Sequence, residues 1–464
     1  MKQGLFLTLY GGLWHALKPV LKRSKRLADG WQERTVPEGW LSSAPWAKDG
    51  EGCDIWLQAA SGGESRLALA IIGELPRAVR PWRVLITTWT RQGRKILEEG
   101  VAELLKSRDD LHCALRFAPL DEPRTVSRAL EEAKPKVLAL LETELWPSLM
   151  AACRDQHVPL AVLNGRMTKS SYECYRIIRA LLRNMPPARI LAMCSDDKER
   201  FAGIFEGAGT PPCSLELMPN IKFDLAVQNL DRQQAAERKL GRDAEGNCCD
   251  LCQLFDHTPL ALFASVREQE EGKLCPRILE LRRANPAAIT IIAPRHMHRV
   301  KAWCERFRDL GLNCILASSL DTERPCETLA PGSLILWDRF GDLPQLYSMA
   351  DAAYVGGGYG QGGQNFLEAL SAGVVPCVGS DLHNFLWALG YDTAPSLPAA
   401  GLLHICPKVK DVRRVMHDAL QQGHDNEARR RVQEQFREWL LQRCGGTKQS
   451  VDCLLNMING REKR

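Results

Sequence analysis

Several short stretches place carboxylates and cations where the chain turns out of an apolar run. Residues 58–66 read QAASGGESR, a set of small residues that lets the backbone turn tightly before Ser61 and Glu64. An acid in the first turn of a helix can serve only as a cap or dipole partner. It can also act as a general base, taking a proton from a hydroxyl at a cleft mouth. Residues 141–147 read LETELWP, so Glu142 and Glu144 end an apolar run two positions apart. Buried carboxylates there need solvent, cationic partners or a task. Arg166 follows in NGRMTKSS and Lys222 in PNIKFD. In the second half Pro294, Arg295 and His296 end another apolar run, and residues 356–370 read GGGYGQGGQNFLEAL. Its glycines, Gly357, Gly358, Gly362 and Gly363 among them, either form a flexible turn or bring backbone N–H groups close to a phosphate. Asn365 can position a phosphate or sugar, Glu368 can accept from ribose hydroxyls, and Arg295 can meet an anion's charge.

The elements that must position these residues alternate between β-rich and helical. β-rich runs fall at Asp54–Ala60, Arg83–Trp89, Lys136–Leu141, Pro159–Asn164 and Arg189–Cys194, with helical stretches such as Glu64–Leu75 and Thr125–Ala133 between. Apolar strands separated by helices predict a parallel sheet covered on both faces. The pattern stalls over the polar stretch Asp224–His257, where a helix Asp231–Leu240 and a GRDAEGN turn read as a linker. It resumes at Pro259–Ser265, Ala288–Ala293, Asn313–Ala317, Ser333–Trp337, Ala352–Gly356 and Val374–Val378, and the charged tail from Asp411 reads as helical. The expected fold is α/β, with two Rossmann-like domains facing across a cleft and ligands beyond the carboxyl ends of the strands. The expected division is a segment 1–30, a first domain 31–225, a linker 226–258, a second domain 259–425, and a helical segment 426–464 packing back on the first domain.

With 464 residues the chain suits two domains, and a net charge of +5 gives no field that marks a nucleic-acid binder. Seventeen scattered cysteines read as reduced cytosolic thiols acting as small core residues. The densest group, Cys248, Cys249 and Cys252, reads as a surface loop; one C-x-x-C without a second pair is weak support for zinc. The N-terminus runs apolar from Gly4 to Trp14, then basic at Lys18, Lys22, Arg23, Lys25 and Arg26, the reverse of a signal peptide. About 14 helical residues cover about 21 Å, short of the roughly 30 Å hydrocarbon core. The segment reads as lying in a membrane interface, with Phe6, Tyr10 and Trp14 buried there and the basic cluster on anionic headgroups. The alternative is a capping helix packed on the first domain.

Taken together and in this order, QAASGGES, LETELWP, NGRMTKSS, PNIKFD, Pro294-Arg295-His296 and GGGYGQGGQNFLEAL resemble the motifs of the 3-deoxy-D-manno-octulosonic acid (Kdo) transferase family from about residue 54 to 390. TTWTRQGR at 87–94 is similar to that family's TTxTxxG segment, where Arg94 can meet acidic groups; otherwise it is a solvated charge at a helix start. The resemblance implies a GT-B glycosyltransferase with CMP-Kdo as donor. It further implies transfer with inversion to the lipid A precursor, with no cofactor or metal, at the cytoplasmic face of the bacterial inner membrane. It makes Glu64 the catalytic base, puts Ser61, Arg94, Glu142, Glu144, Arg166 and Lys222 on the acceptor side, and puts the second-half residues on the donor side.

There are departures from the family pattern. Where the family reads A-S-T-H-x-x-E-E, this chain has Ala264-Ser265-Val266-Arg267, so a longer cation stands in for the Thr-His pair beside Ser265. Gln364 replaces the histidine of HNxLE, and Gln58 another. The rival readings are a nucleotide-sugar 2-epimerase on the same fold, and a non-catalytic membrane-associated relative.

Overall fold

The computed structural model describes all residues except 1–2, 25–26, 48–49, 208–212, 241–254, 256–257, 321–328, 384–394, 424 and 463–464. The GRDAEGN turn, the Cys248–Cys252 group, Lys25 and Arg26 therefore lie outside the described residues. The chain divides into two compact units, Met1–Leu225 with Arg443–Arg464, and Ala226–Gln442.

The first unit holds β1 (Ile55–Ala59), β2 (Trp82–Thr88), β3 (Leu111–Phe117), β4 (Val137–Leu141), β5 (Leu160–Gly165), β6 (Arg189–Ala192) and β7 (Ser214–Leu217). They form one sheet in the order β3-β2-β1-β4-β5-β6-β7, every pair parallel. Strand residues alternate between two buried cores, as a period of two demands. Trp56, Leu138 and Leu140 enter one core. Ile55, Leu57, Val137, Ala139 and Leu141 enter the other. Order reverses between β1 and β4, and the helices that follow them pack on opposite faces, Leu67 and Ile71 in one core and Leu149 and Met150 in the other. That switch point is where open α/β sheets hold ligands.

The second unit repeats the plan with β8 (Leu260–Val266), β9 (Ile289–Pro294), β10 (Ile315–Leu316), β11 (Leu334–Leu336), β12 (Ala352–Val355), β13 (Cys377–Gly379) and β14 (His404–Cys406). Their order is β10-β11-β9-β8-β12-β13-β14, again all parallel, with the switch point between β8 and β12.

The segment 426–464 is not one piece. Helix Asn426–Leu441 belongs to the second unit, and helix Gly446–Glu462 packs on the first, against helix Gly62–Gly73 and strands β4 and β5. Asp224 ties it there, its carboxylate accepting from the Gly445 and Thr447 amides at 2.7 Å each.

The N-terminal helix Gln3–Leu21 corrects the expectation for the aromatics. Phe6 packs against the first unit's core, Tyr10 hydrogen-bonds Asp121, and Trp14 lies 6.5 Å from the Trp146 ring. These rings face protein because residues four apart share a helix face and that face meets the Pro123–Ala133 helix and the Trp146 loop. Lys18 is drawn in too, pairing with Glu122 at 2.6 Å. The large hydrophobic residues that the helix leaves exposed are aliphatic: Leu9, Leu13, Leu17 and Val20, at 61, 55, 40 and 66%. Among the described residues no helix is long and apolar enough to cross a membrane.

Candidate active site

In the first unit the sequence folds Glu64 into place through its own neighbours. Ser61 caps helix Gly62–Gly73, and Glu64 is the third residue of that helix. The Ala60 amide donates to one Glu64 carboxylate oxygen at 2.6 Å, and the Ser61 hydroxyl to the other at 3.0 Å. Glu64 is buried, and desolvation pushes its carboxyl up to about 7, with the Glu142 and Glu144 charges adding to it. The capping role is thus real. A carboxyl that titrates near neutrality is also the form in which a base works best.

Across the switch point, β4 ends and Glu142 adopts a left-handed backbone with φ of 60°. Its buried carboxylate takes Lys222 at 2.9 Å and Arg166 at 3.0 Å. Arg166 comes from β5, whose pairing with β6 shifts register between Val162 and Gly165, with Asn164 at φ 54°. A bulge re-aims the side chains that follow it, and Asn164 itself accepts from the Ile221 amide at 3.0 Å, fixing the turn that carries Lys222. Arg166 is held below its usual range by burial, which the Glu142 and Glu64 charges oppose. Glu64, Glu142, Glu144, Arg166 and Lys222 therefore form one electrostatic cluster at the β1/β4 edge. Ser61 belongs to it through Glu64.

Arg94 is not drawn into those pairs. It binds Glu98 at 2.7 Å and Glu33 at 3.5 Å, with its guanidinium 5.6 Å from the Phe117 ring centroid. Its charge is used within the helix start and the 31–35 turn.

The 144–146 segment rests on residues that the sequence did not single out. Asp121 caps helix Pro147–Asp155 through the amides of Ser148 and Leu149 at 3.0 and 2.9 Å, and burial pushes its carboxyl up to about 7. Trp146 lies 5.4 Å from Trp89 and also meets Trp14. Arg34, fully buried, donates to the Trp89 carbonyl at 2.8 Å and lies over the Phe117 ring. Asp121 gave no readable signal, because the amides it accepts from lie 27 and 28 residues further along the chain. An arginine buried between rings offered none.

In the second unit Ser265 sits at φ 53°, within the β8/β9 register shift between Phe263 and Val266. Arg267 follows and reaches Gln361 at 3.5 Å. Pro294 ends β9 and releases Arg295 and His296 to solvent, the latter ring stacked 5.5 Å from His298. Asn365 donates to Glu368 at 2.8 Å. Burial raises the Glu368 carboxyl, while Asn365 and the Arg295 charge lower it. Glu368 thus has both Asn365 and Arg295 as neighbours.

The glycine turn differs from the expectation in one respect. The Gly357 amide donates to Glu270 at 2.8 Å, the Gly362 amide to Asp381 at 3.2 Å, and the Gly363 amide to the Gly357 carbonyl at 2.9 Å. Three of the amides read as phosphate donors are spent holding the turn. Gly358 serves close approach: a Cβ there would meet the Gly379 amide nitrogen at 2.4 Å. Glu270, buried and also accepting from Tyr354 at 2.9 Å, is the pillar under this turn. Burial raises its carboxyl against those donors. Sequence reading matched Glu270 to the family's E-E pair without giving it a role, and passed over Asp381 as an ordinary loop acid.

Two parallel doubly wound units, each with its charged or glycine-rich loops at a switch point, define a GT-B glycosyltransferase fold. A crystal structure of a glycosyltransferase from Rickettsia africae shares that fold with a TM-score of 0.50 at 10% identity, covering 88% of this chain and 99% of its own. The profile of the family described as 3-deoxy-D-manno-octulosonic-acid transferase (kdotransferase) matches residues 29–225. A 3-deoxy-D-manno-octulosonic acid transferase of Bordetella pertussis is 29% identical over 463 residues, 98% of this chain and 99% of its own. Another from Rickettsia felis is 26% identical over 321 residues, 68% of this chain and 61% of its own. Residues 29–225 thus match the Kdo transferase family's domain, and the chain is similar to Kdo transferases along nearly its whole length.

Proposed function

We propose that this protein transfers Kdo from CMP-Kdo to the lipid A precursor with inversion, and that Glu64 is the base. The observation that carries this reading is the Glu64 carboxyl, poised at about 7 beside Glu142 at the switch point of the first unit. Glu64 accepts the proton of an acceptor hydroxyl. The hydroxyl oxygen bonds to the anomeric carbon from the face opposite the phosphate, and the bond from that carbon to the phosphate oxygen breaks. CMP leaves with the electron pair.

The cations of the first unit serve the acceptor. Lys222 is the more accessible of Glu142's two partners, its side chain 34% exposed against 17% for Arg166, and so the one open to an acidic acceptor group. In the second unit Glu368 accepts from ribose hydroxyls, while Arg295 and Asn365 meet the phosphate, taking the load that the engaged glycine amides do not carry. With those groups meeting the charge, transfer requires no divalent metal.

The aliphatic stripe Leu9, Leu13, Leu17 and Val20, followed by Lys22 and Arg23, supports peripheral contact with the cytoplasmic face of the inner membrane. An assay with CMP-Kdo and an acylated disaccharide bisphosphate, products resolved by mass and with excess EDTA in a second arm, tests the donor, the acceptor and the metal independence together.

A further inference from the structure

We propose that Phe340 is the platform on which the donor's nucleobase stacks; this rests on the reading of the second unit as the donor site. Phe340 is 79% exposed, and among the described exposed large hydrophobic residues it is the one aromatic ring. An exposed ring of that size is a cost to the free protein unless a ligand covers it.

The ring is held out by an anchored loop. It follows β11, whose Leu336 pairs with Ile292 of β9, and the Trp337 amide donates to the Ile292 carbonyl at 2.8 Å. Three residues beyond Ile292 comes Arg295, so Phe340 and Arg295 leave neighbouring strands at the same carboxyl edge. Asp338 fixes the loop before the ring, accepting from the Ser318 amide at 2.7 Å and its hydroxyl at 2.6 Å. Asp342 fixes it after the ring, accepting from the Trp337 indole at 3.2 Å. Between them Gly341, at φ 97°, supplies the turn that a side chain would oppose.

Directly after the loop, helix Leu343–Met349 packs on helix Leu367–Ser371, which carries Glu368. The Glu368 charge is felt at Tyr347 on the first of these helices. The carboxylate proposed for the ribose is itself a neighbour of Arg295 and Asn365. Ring, cation, carboxylate and amide thus share one carboxyl edge of the sheet, and they are the kinds of group that the base, phosphate and ribose of a nucleoside monophosphate require. A phenyl ring has no hydrogen-bonding edge, so it holds a base by its face and does not by itself select cytosine.

Calorimetry of the full chain with CMP and with ribose 5-phosphate tests this. Phe340→Ala should weaken CMP about ten- to a hundredfold, the range that base stacking commands, and leave ribose 5-phosphate unchanged. Phe340→Trp should keep CMP affinity and add a CMP-dependent fluorescence quench that the wild type lacks. Unchanged CMP affinity in Phe340→Ala, or equal losses for both probes, would overturn the stacking role. A wild type that binds neither probe would overturn the donor site itself, and the stacking role with it.

Discussion

The two switch points solve different problems with the same sheet. In the first unit the strand ends deliver charged side chains, and a buried network of two cations and three carboxylates forms around Glu64 and Glu142. In the second unit the strand ends deliver backbone: a glycine turn is braced by Glu270 and Asp381, and the free chemistry stands at its rim in Arg295, Asn365 and Glu368. Burial raises the carboxyl at the heart of each, Glu64 and Glu270 alike. Yet Glu270 has its donors inside the protein and no task left, whereas Glu64 sits beside other acids. A perturbed carboxyl marks chemistry only where its partners leave it a proton to move.

Glu64→Gln breaks the comparison most sharply. Turnover should fall by about 10²–10⁴ with CMP affinity unchanged, because the proposed base and the proposed donor site lie in different units. Rates near wild type would return Glu64 to a purely capping role. Next comes Glu142→Gln, which removes the charge shared by Arg166 and Lys222. Breaking one side of such a buried pair costs about 3–5 kcal/mol, readable as a lowered denaturation midpoint. Because the Glu142 charge also raises Glu64, the base limb of the pH–rate profile should move to lower pH. A limb that stays in place would uncouple the two acids.

The titration of Glu64 gives opposite signs for rate and stability. Its folded value of about 7 lies above the ordinary carboxyl value of 4.5, so the folded state holds the proton more tightly than the unfolded chain. Stability from this group is full below about 4.5 and is lost as pH rises through about 7. Activity should rise over the upper part of that interval, as the base form appears. Wild type should therefore lose on the order of 1–3 kcal/mol relative to Glu64→Gln between pH 5 and 8. Asp121 titrates in both proteins and cancels from the difference. Parallel stability curves would count against the shift.

In the second unit Glu368→Ala should weaken CMP by about tenfold or more, the worth of a hydrogen bond to a charged group, without touching acceptor affinity. The smallest effect is expected at the surface helix. Leu13→Asp should reduce sedimentation with anionic liposomes and leave the fold and the transfer to dispersed acceptor intact, since Leu13 is exposed. Trp14→Ala should instead disturb the Trp146 loop. Equal liposome binding by wild type and Leu13→Asp would assign the aliphatic stripe to something other than lipid.

Most of the fold was legible because the central strands are near-continuous apolar runs. The three strands that the sequence did not reveal, β3, β7 and β14, are all edge or near-exposed strands: LHCALRF, SLEL and HIC carry polar or exposed positions that break the run. The charged cluster was legible where its members fell at strand ends inside dense motifs, as Glu64, Glu142 and Arg166 did. The supporting residues were not. Asp121, Glu270 and Asp381 act by accepting backbone amides distant in sequence, and nothing local distinguishes them from solvated acids. The facing of the aromatics in helix Gln3–Leu21 was misread for a related reason: aromatics and leucines both read as apolar, and only the docking surface decides which set faces out.

The most direct test of the account is the product itself. Purified protein, CMP-Kdo and an acylated disaccharide bisphosphate should give an acceptor heavier by whole Kdo residues, with CMP released in equal number. The new linkage should have the anomeric configuration opposite to the donor's. CMP release without a heavier acceptor, or a linkage that retains the donor's configuration, would contradict it.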